Sequence, residues 1–331
     1  MPLIQSVPSY RPPFWLPEGH TQSMFTALFR KINNLAPNRE RLILSDQDFV
    51  DLDWYIDAPL SEKPLLIISH GLEGSSQAQY VKGLAKTMIE QGFNVLAWNF
   101  RSCSGEMNLK LRFYHSGATE DLEEVIQTCI QRGANRIYLA GFSLGGNLTL
   151  KWLGEQGQNH PNLIRKAVAF SVPLHLSSSS RKLARRENGL YTHRFLQTLL
   201  SKAKEKAVLF PTAVDVAILK RIKTLREFDD VITGPLHGFK DAEDYYEQNS
   251  SLYFLDKIQV PTLVVNAQND PFLSPECLPA SLASNWENVF LELPTQGGHC
   301  GFYPSDYRGT LWSEQRAMNW FLNKETINYV E

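Results

Sequence analysis

The residues best suited to chemistry in this 331-residue chain lie in the run Gly141-Phe142-Ser143-Leu144-Gly145. A serine between small residues at this G-x-S-x-G spacing can occupy a tight turn from a strand into a helix, which exposes its hydroxyl for nucleophilic attack. The pattern is common by itself, but its surroundings fit such a turn. An apolar run typical of a strand covers 136–140, and residues 146–153 have a helical pattern. Ser143 is therefore the candidate nucleophile.

A nucleophilic serine needs a base that takes its proton and a group that orients this base. Asp270 and His299 each follow a predicted strand downstream of Ser143, and His299 stands between glycines in the run Gly297-Gly298-His299-Cys300-Gly301. Taken singly, Asp270 is interpreted as a turn residue and His299 as an ordinary loop histidine. Open α/β sheets place their sites at the carboxyl ends of the strands, so the order Ser143, Asp270, His299 predicts a catalytic triad.

Acyl transfer through a serine also needs two backbone N–H groups that bind the oxyanion. Leu144, directly after Ser143, is one expected donor. The second is expected at Leu72, in the loop His70-Gly71-Leu72-Glu73-Gly74 after the first buried strand. We interpret His70 as a packing residue, because His299 already supplies the base.

Three further polar features have weaker interpretations. His115 precedes a predicted helix and is interpreted as structural, while His20 has no partner that the sequence identifies. The run Arg101-Ser102-Cys103-Ser104-Gly105-Glu106 follows a strand and contains two serines. No helical pattern follows it directly, so we interpret it as a structured loop near the site.

The elements that must position these residues alternate between strand and helix. An antiparallel pair is predicted at 41–44 and 49–55. Apolar strands are predicted at 64–69, 94–100, 136–140, 167–172, 260–266 and 288–293, and helices at 79–91, 119–132, 146–153 and 312–322. The alternation predicts an α/β fold with a mostly parallel sheet that helices cover on both faces.

Two stretches interrupt this alternation. Residues 174–256 are largely helical and more polar, and we interpret them as a helical cap, here called the cap segment, inserted into a single domain that spans 1–331. Residues 1–40 are rich in proline and aromatic side chains. They are expected to be irregular, with Phe14 and Trp15 anchoring this segment on the body of the domain.

Composition excludes several classes of protein. The net charge of −2 gives no basic surface for nucleic acid, and no apolar run approaches the roughly 18 residues of a membrane span. The N-terminus lacks the basic and apolar regions of a signal peptide. Cys103, Cys129, Cys277 and Cys300 have no metal-ligand spacing. We expect a cytoplasmic protein with free thiols and with no metal or cofactor.

The motifs together resemble those of α/β-hydrolase-fold proteins. The resemblance is to the branch of bacterial predicted hydrolases related to plant embryogenesis-associated proteins, with animal abhydrolase-domain esterases and yeast medium-chain ester synthases/esterases. It covers nearly the whole chain and rests on residues 19–22, 70–74, 100–106, 114–117, 141–147, 227–230, 245–246, 269–272 and 297–302. The resemblance implies an α/β-hydrolase fold, the triad Ser143, Asp270 and His299, and carboxylester hydrolysis without a cofactor.

The sequence therefore predicts a serine carboxylesterase for short- to medium-chain esters, with a small-molecule or lipid-like substrate. Acyl transfer to an alcohol through the same acyl-enzyme is the first alternative. A hydrolase-like fold kept as a non-catalytic binding module is the second. The physiological ester and the oligomeric state stay open.

Overall fold

One β-sheet runs through the molecule, and the loops with the candidate residues follow its strands. The computed structural model describes residues 3–5, 10–324 and 328–329. Its strands are β1 (Leu3–Gln5), β2 (Asn38–Ile43), β3 (Phe49–Tyr55), β4 (Leu65–Ser69), β5 (Asn94–Asn99), β6 (Ile137–Phe142), β7 (Ile164–Phe170), β8 (Thr262–Val265), β9 (Val289–Glu292) and β10 (Asn328–Tyr329). They form one sheet in the order β10-β1-β9-β8-β7-β6-β4-β5-β3-β2.

The sheet is parallel from β1 across to β5. Only the two borders, β10 on β1 and β2 and β3 beside β5, pair antiparallel. The α/β fold with a mostly parallel sheet is thus confirmed. The carboxyl ends of β4, β6, β8 and β9 consequently lie on the same edge of the sheet, where the loops with the candidate residues begin.

The helices cover both faces of the sheet. They are α1 (Gly19–Phe29), α2 (Gln79–Ile89), α3 (Thr119–Gln131), α4 (Leu144–Gln156), α5 (Leu176–Leu183), α6 (Gly189–Leu209), α7 (Val216–Leu219), α8 (Leu225–Phe228), α9 (Gly234–Leu236), α10 (Ala242–Asn249) and α11 (Trp312–Leu322). Of these, α5 to α10 lie in the cap segment, where α6, α7 and α8 share one apolar cluster with Phe113, and α5 and α10 share another.

Strand β4 illustrates why the central strands are continuously apolar. All five of its residues are buried. Because side chains alternate along a strand, Leu65 and Ile67 face the apolar cluster that includes α3 and α4, whereas Leu66 and Ile68 face the cluster that includes α2 and α11. A strand buried on both faces thus has apolar residues at successive positions, and its one polar residue, Ser69, accepts a hydrogen bond from Trp98 Nε1 at 2.9 Å.

The prediction that residues 1–40 are irregular is wrong in part. Strand β1 joins the sheet, and α1 forms an eleven-residue helix. Phe14 is not an anchor, because it is 95% exposed, whereas Trp15 is 46% exposed and packs its ring on Phe25 and Tyr303. Tyr10 and Leu16 are buried. The helix escaped prediction because its buried face is polar, so its sequence lacks the usual inward apolar stripe.

Arg101 follows β5 and ties three segments together near the site edge. Its guanidinium lies 2.7 Å from Asp46, 2.9 Å from Asp48 and 2.7 Å from Asp121. The Arg101, Asp48 and Asp121 side chains are at most 2% exposed. Asp48 also accepts a hydrogen bond from the N–H of Leu109 at 2.8 Å. The loop after β5 is therefore a structured loop, held by buried charges.

We expect Arg101→Met to lower the free energy of unfolding by about 3–5 kcal/mol, because it leaves buried carboxylates without their cation. Urea denaturation measures the change. The matched control is Arg132→Met, whose pair with Glu40 has about 40% of each side chain exposed. Its loss should cost less than about 1 kcal/mol. Equal losses in the two variants would contradict the role assigned to Arg101.

Candidate active site

Ser143 stands at the turn between β6 and α4, in a backbone conformation that side chains rarely adopt. Its φ is 52° and its ψ is −120°. The turn is tight enough to exclude side chains around it. A Cβ on Gly141 would lie 2.5 Å from the carbonyl oxygen of Gly145, and a Cβ on Gly145 would lie 2.3 Å from that of His70. Backbone contact thus explains both glycines of the G-x-S-x-G run.

The structure brings Ser143, His299 and Asp270 into one chain of hydrogen bonds. The distance from Ser143 Oγ to His299 Nε2 is 2.9 Å. His299 Nδ1 lies 2.9 Å from Oδ2 and 3.1 Å from Oδ1 of Asp270. A carboxylate only accepts, so Nδ1 carries the proton and Nε2 can accept from the serine hydroxyl. The Asp270 side chain is fully buried, which keeps water from competing for its oxygens.

Phe272 makes two further contacts with the His299–Asp270 pair. The Phe272 ring stacks on it, with ring centroids 4.0 Å apart. The N–H of Phe272 also donates to Asp270 Oδ1 at 2.8 Å. Phe272 therefore packs on the imidazole of His299 and hydrogen-bonds the Asp270 carboxylate that orients it.

Helix α1 supports the loop that carries His299. Ser23 Oγ accepts from the N–H of His299 at 2.7 Å, and Gln22 Oε1 accepts from the N–H of Gly297 at 2.8 Å. The Asn269 side chain, which donates to Gln22 at 3.2 Å, accepts from the N–H of Gly298 at 3.0 Å. Sequence reasoning assigned no role to Gln22, Ser23 or Asn269, and the only signal was that Gln22 and Asn269 lie in the resemblance runs 19–22 and 269–272.

The loop after β4 passes directly beside the nucleophile. A Cβ on Gly71 would lie 3.2 Å from Ser143 Cβ. The N–H of Gly71 donates to Tyr80 Oη at 3.0 Å, and the N–H of Glu73 donates to Tyr114 Oη at 2.9 Å. The backbone is thus fixed on both sides of Leu72.

Leu144 carries the other N–H group that the sequence predicts as a donor to the oxyanion. It is the first residue of α4. The N–H groups in the first turn of an α-helix have no acceptor within the helix, and they lie at the positive end of its dipole. The N–H next to Ser143 is therefore suited to bind a developing negative charge.

A buried ion pair connects the Leu72 loop to the cap segment. Lys202 Nζ on α6 lies 2.8 Å from Glu73 Oε1, and the two side chains are 18% and 6% exposed. Tyr114 Oη donates to the same oxygen at 2.7 Å. Glu73 has a φ of 51°, in the left-handed region. Three contacts therefore define the conformation of the residue that follows Leu72.

His70 is a neutral packing residue. The N–H of Phe100 donates to its Nε2 at 3.1 Å, so the proton lies on Nδ1, which donates to the carbonyl oxygen of Gly71 at 2.8 Å. Complete burial lowers the pKa of His70 to about 3. His70 consequently stays uncharged and cannot act as a general base in place of His299.

The other two histidines that the sequence left open lie on the cap side of the site. His115 is buried with its ring centroid 4.6 Å from that of His237, and burial lowers its pKa well below the ordinary value. His20 Nδ1 lies 3.3 Å from Tyr191 Oη on α6. Neither is hydrogen-bonded to Ser143, and each contacts a residue of the cap segment.

Cys103 and Cys300 lie close to the site but do not rival Ser143 as nucleophiles. Burial raises the pKa of the Cys103 thiol to about 12 and raises that of Cys300 as well. The thiolate is the reactive form of cysteine, so both thiols are inert at neutral pH.

Two cavities meet at Ser143 and His299. The first lies under the cap segment, and most of its wall is apolar. Its apolar lining comprises Leu72, Phe113, Leu144, Pro173, Leu176, Leu183, Phe195, Leu199, Leu225, Phe228 and Phe272. The second runs between α1, α2 and α6, and it shares Leu72, Phe195 and Phe272 with the first. A molecule bound at Ser143 can thus extend in two directions.

Neither a metal-binding cluster nor a membrane-spanning helix is found within residues 3–5, 10–324 and 328–329. In these ranges no group of three or more His, Cys, Asp or Glu side chains could hold a metal ion. No helix there is both long and apolar enough to cross a lipid bilayer.

Comparison with known proteins places this geometry in a family. A family model described as alpha/beta hydrolase fold matches residues 64–306. The "Putative esterase YheT" of Escherichia coli (strain K12) is 36% identical over 307 residues, which are 91% of this chain and 89% of that protein. The "Phospholipase ABHD3" of Mus musculus is 30% identical over 304 residues, 89% of this chain and 73% of that protein.

The solved structures agree on the fold. The structure of the Pyrococcus furiosus esterase Pf2001 matches with a TM-score of 0.58 and 14% identity, covering 89% of this chain and 95% of that one. The resemblance inferred from the motifs is confirmed: the chain belongs to the α/β-hydrolase-fold family.

Proposed function

We propose that this chain is a serine carboxylesterase that works through an acyl-enzyme on Ser143. The hydrogen-bonded chain from Ser143 through His299 to Asp270 carries the proposal. His299 Nε2 takes the hydroxyl proton as Ser143 Oγ attacks the ester carbonyl carbon, and it then passes this proton to the leaving alcohol. Asp270 keeps the imidazole in the required tautomer and stabilises its cation. Water, activated by the same nitrogen, then hydrolyses the acyl-enzyme.

The oxyanion formed in each half-reaction is assigned to two backbone donors, Leu72 N–H and Leu144 N–H. The first lies in the loop that passes beside Ser143, and the second begins α4. Both belong to backbone that is fixed before substrate arrives, so little reorganisation accompanies the reaction. Preorganised donors of this kind are usually the largest electrostatic contribution to acyl transfer.

The substrate class follows from the two cavities. The largely apolar cavity under the cap segment suits the acyl chain of a short- to medium-chain ester, and the second cavity suits the alcohol. The relatives named as an esterase and as a phospholipase support ester substrates, including lipid-like ones. An ester series of increasing acyl length on one alcohol should give a maximum of kcat/KM at the length that fills the first cavity.

Ser143→Ala should lower kcat on p-nitrophenyl esters by about 10⁶, because the nucleophile is removed. A fluorophosphonate probe should label the wild-type protein and not this variant. Ser102→Ala is the matched control, since Ser102 also has a positive φ but hydrogen-bonds to Asn108 at 2.6 Å instead of to a histidine. It should keep the label. A folded wild-type protein that takes no label would favour a non-catalytic binding module.

Lys202→Met should lower kcat by about 10- to 100-fold with a smaller change in KM. The loss of the Lys202–Glu73 pair frees the Leu72 loop, and one misplaced oxyanion donor costs up to about 10²–10³ in kcat. Lys202→Arg should restore most of the rate. Lys182→Met, which removes the more exposed pair with Glu187 in the same cap segment, should leave kcat unchanged. Equal effects of the two methionine variants would refute the positioning role.

Asp229 gives the first cavity an acidic group, and it makes stability depend on pH. Burial raises the pKa of Asp229 to about 6, although Thr233 and Tyr246 both donate to its carboxylate. The folded state thus binds this proton more tightly than the unfolded state, so the contribution to stability falls as pH rises from about 4 to 6.

Asp229→Asn should remove the loss of stability that accompanies ionisation of Asp229. Relative to the wild type, the variant should gain up to about 3 kcal/mol in free energy of unfolding between pH 4 and pH 7. Urea denaturation at a series of pH values measures the difference. Parallel stability curves for the two proteins would contradict a raised pKa at Asp229.

A further inference from the structure

Helix α1 presents its polar side to the protein and its apolar side to solvent. Its buried residues are Gly19, Gln22, Ser23 and Thr26. Its outward side chains include Met24, Leu28 and Phe29, which are 38%, 54% and 67% exposed. A surface helix of a globular protein normally buries its apolar stripe. The reversed arrangement therefore needs a physical reason.

The polar inner face of α1 is explained by its contacts with the loop that carries His299. Gln22 and Ser23 accept hydrogen bonds from the backbone of Gly297 and His299. Loop backbone needs polar partners, and a helix that supplies them on its inner face must turn its apolar residues elsewhere. This accounts for the orientation of α1, but it leaves large apolar side chains in contact with water.

These side chains form a continuous surface with their neighbours, here called the outer patch: Phe14, Trp15, Met24, Leu28, Phe29 and Leu190. The Trp15 and Phe25 ring centroids are 4.8 Å apart, and those of Phe25 and Phe29 are 5.3 Å apart. Phe14 precedes Trp15 and is 95% exposed, and Leu190 on α6 is 74% exposed. A contiguous apolar surface of this kind marks an interaction site rather than scattered exposure.

Three residues of the outer patch line the second cavity. Met24, Leu28 and Leu190 line this cavity together with Ser143 and His299. Since the same three residues are 38–74% exposed, the cavity opens to solvent among them. Whatever covers the patch therefore faces the nucleophile through this opening.

We propose that the outer patch docks the protein on the surface of an anionic phospholipid layer, from which an ester enters the second cavity. Exposed cations adjoin the patch in sequence at Lys31, Arg185, Arg186 and Arg194, and Arg194 also lines the cavity. The neighbouring Glu187 is already paired with Lys182. Apolar side chains flanked by cations match lipid chains beneath anionic headgroups. A second copy seated here would close the cavity instead of supplying it.

Docking on a lipid layer is independent of the proposed catalysis, so it can be tested without substrate turnover. Wild-type protein should float with vesicles of phosphatidylcholine mixed with phosphatidylglycerol. Phe14→Ser/Phe29→Ser should weaken this partitioning at least about 10-fold, because two large apolar side chains no longer enter the layer. Neither residue lines a cavity with Ser143, so activity on a soluble ester should stay at the wild-type level and report correct folding.

Val208→Ser/Leu209→Ser is the matched control, because these residues are 81% and 57% exposed at the other end of α6. It should bind vesicles like the wild type. Ser143→Ala should also bind, which separates docking from the catalytic assignment. The proposal is overturned if wild-type protein does not float, or if both double variants lose binding equally. It is also overturned if wild-type protein is a dimer that Phe14→Ser/Phe29→Ser makes monomeric.

Discussion

The close contact between the first turn of α4 and the end of β4 is the constraint on which the site depends. A Cβ on Gly145 would lie 2.3 Å from the carbonyl oxygen of His70 and 2.5 Å from that of Ser69. Because the two backbones touch, the turn at Ser143 must take its strained conformation, and the loop after β4 must pass beside the serine. The turn at Ser143 and the path of the loop beside it thus share one backbone contact, while Tyr80, Tyr114 and Lys202 hold the loop itself.

The parts of the molecule that the sequence predicts are those determined by local pattern and by strand direction. Helix α11 spans the predicted 312–322, and the central strands lie within a few residues of their predicted ranges. Asp270 and His299 are 127 and 156 residues from Ser143 in the chain, yet both follow strands of one parallel sheet. Chain order and strand direction alone therefore predict that their loops share an edge, although no pattern gives the distances between them.

The parts that escape prediction depend on contacts between distant segments. Gln22 and Gly297 are 275 residues apart in the chain, and Lys202 and Glu73 are 129 residues apart. No local sequence pattern predicts a contact between segments so far apart. The sequence fails to predict helix α1 for a related reason. Its inward residues are polar because they hydrogen-bond loop backbone, so a search for apolar periodicity cannot find it. Phe14 misleads in the opposite sense, since an apolar side chain is expected to be buried and this one is 95% exposed.

Helix α1 cannot relieve its exposed apolar face by turning, because both of its ends are fixed. Gln22 and Ser23 hold the His299 loop, and Arg30, directly after the helix, pairs with Glu314 on α11 at 2.6 Å with both side chains at most 2% exposed. Breaking such a buried pair costs about 3–5 kcal/mol, more than the burial of one large apolar side chain returns. The hydrogen bonds that place the imidazole thereby force an apolar surface to the outside, next to the opening that leads to Ser143.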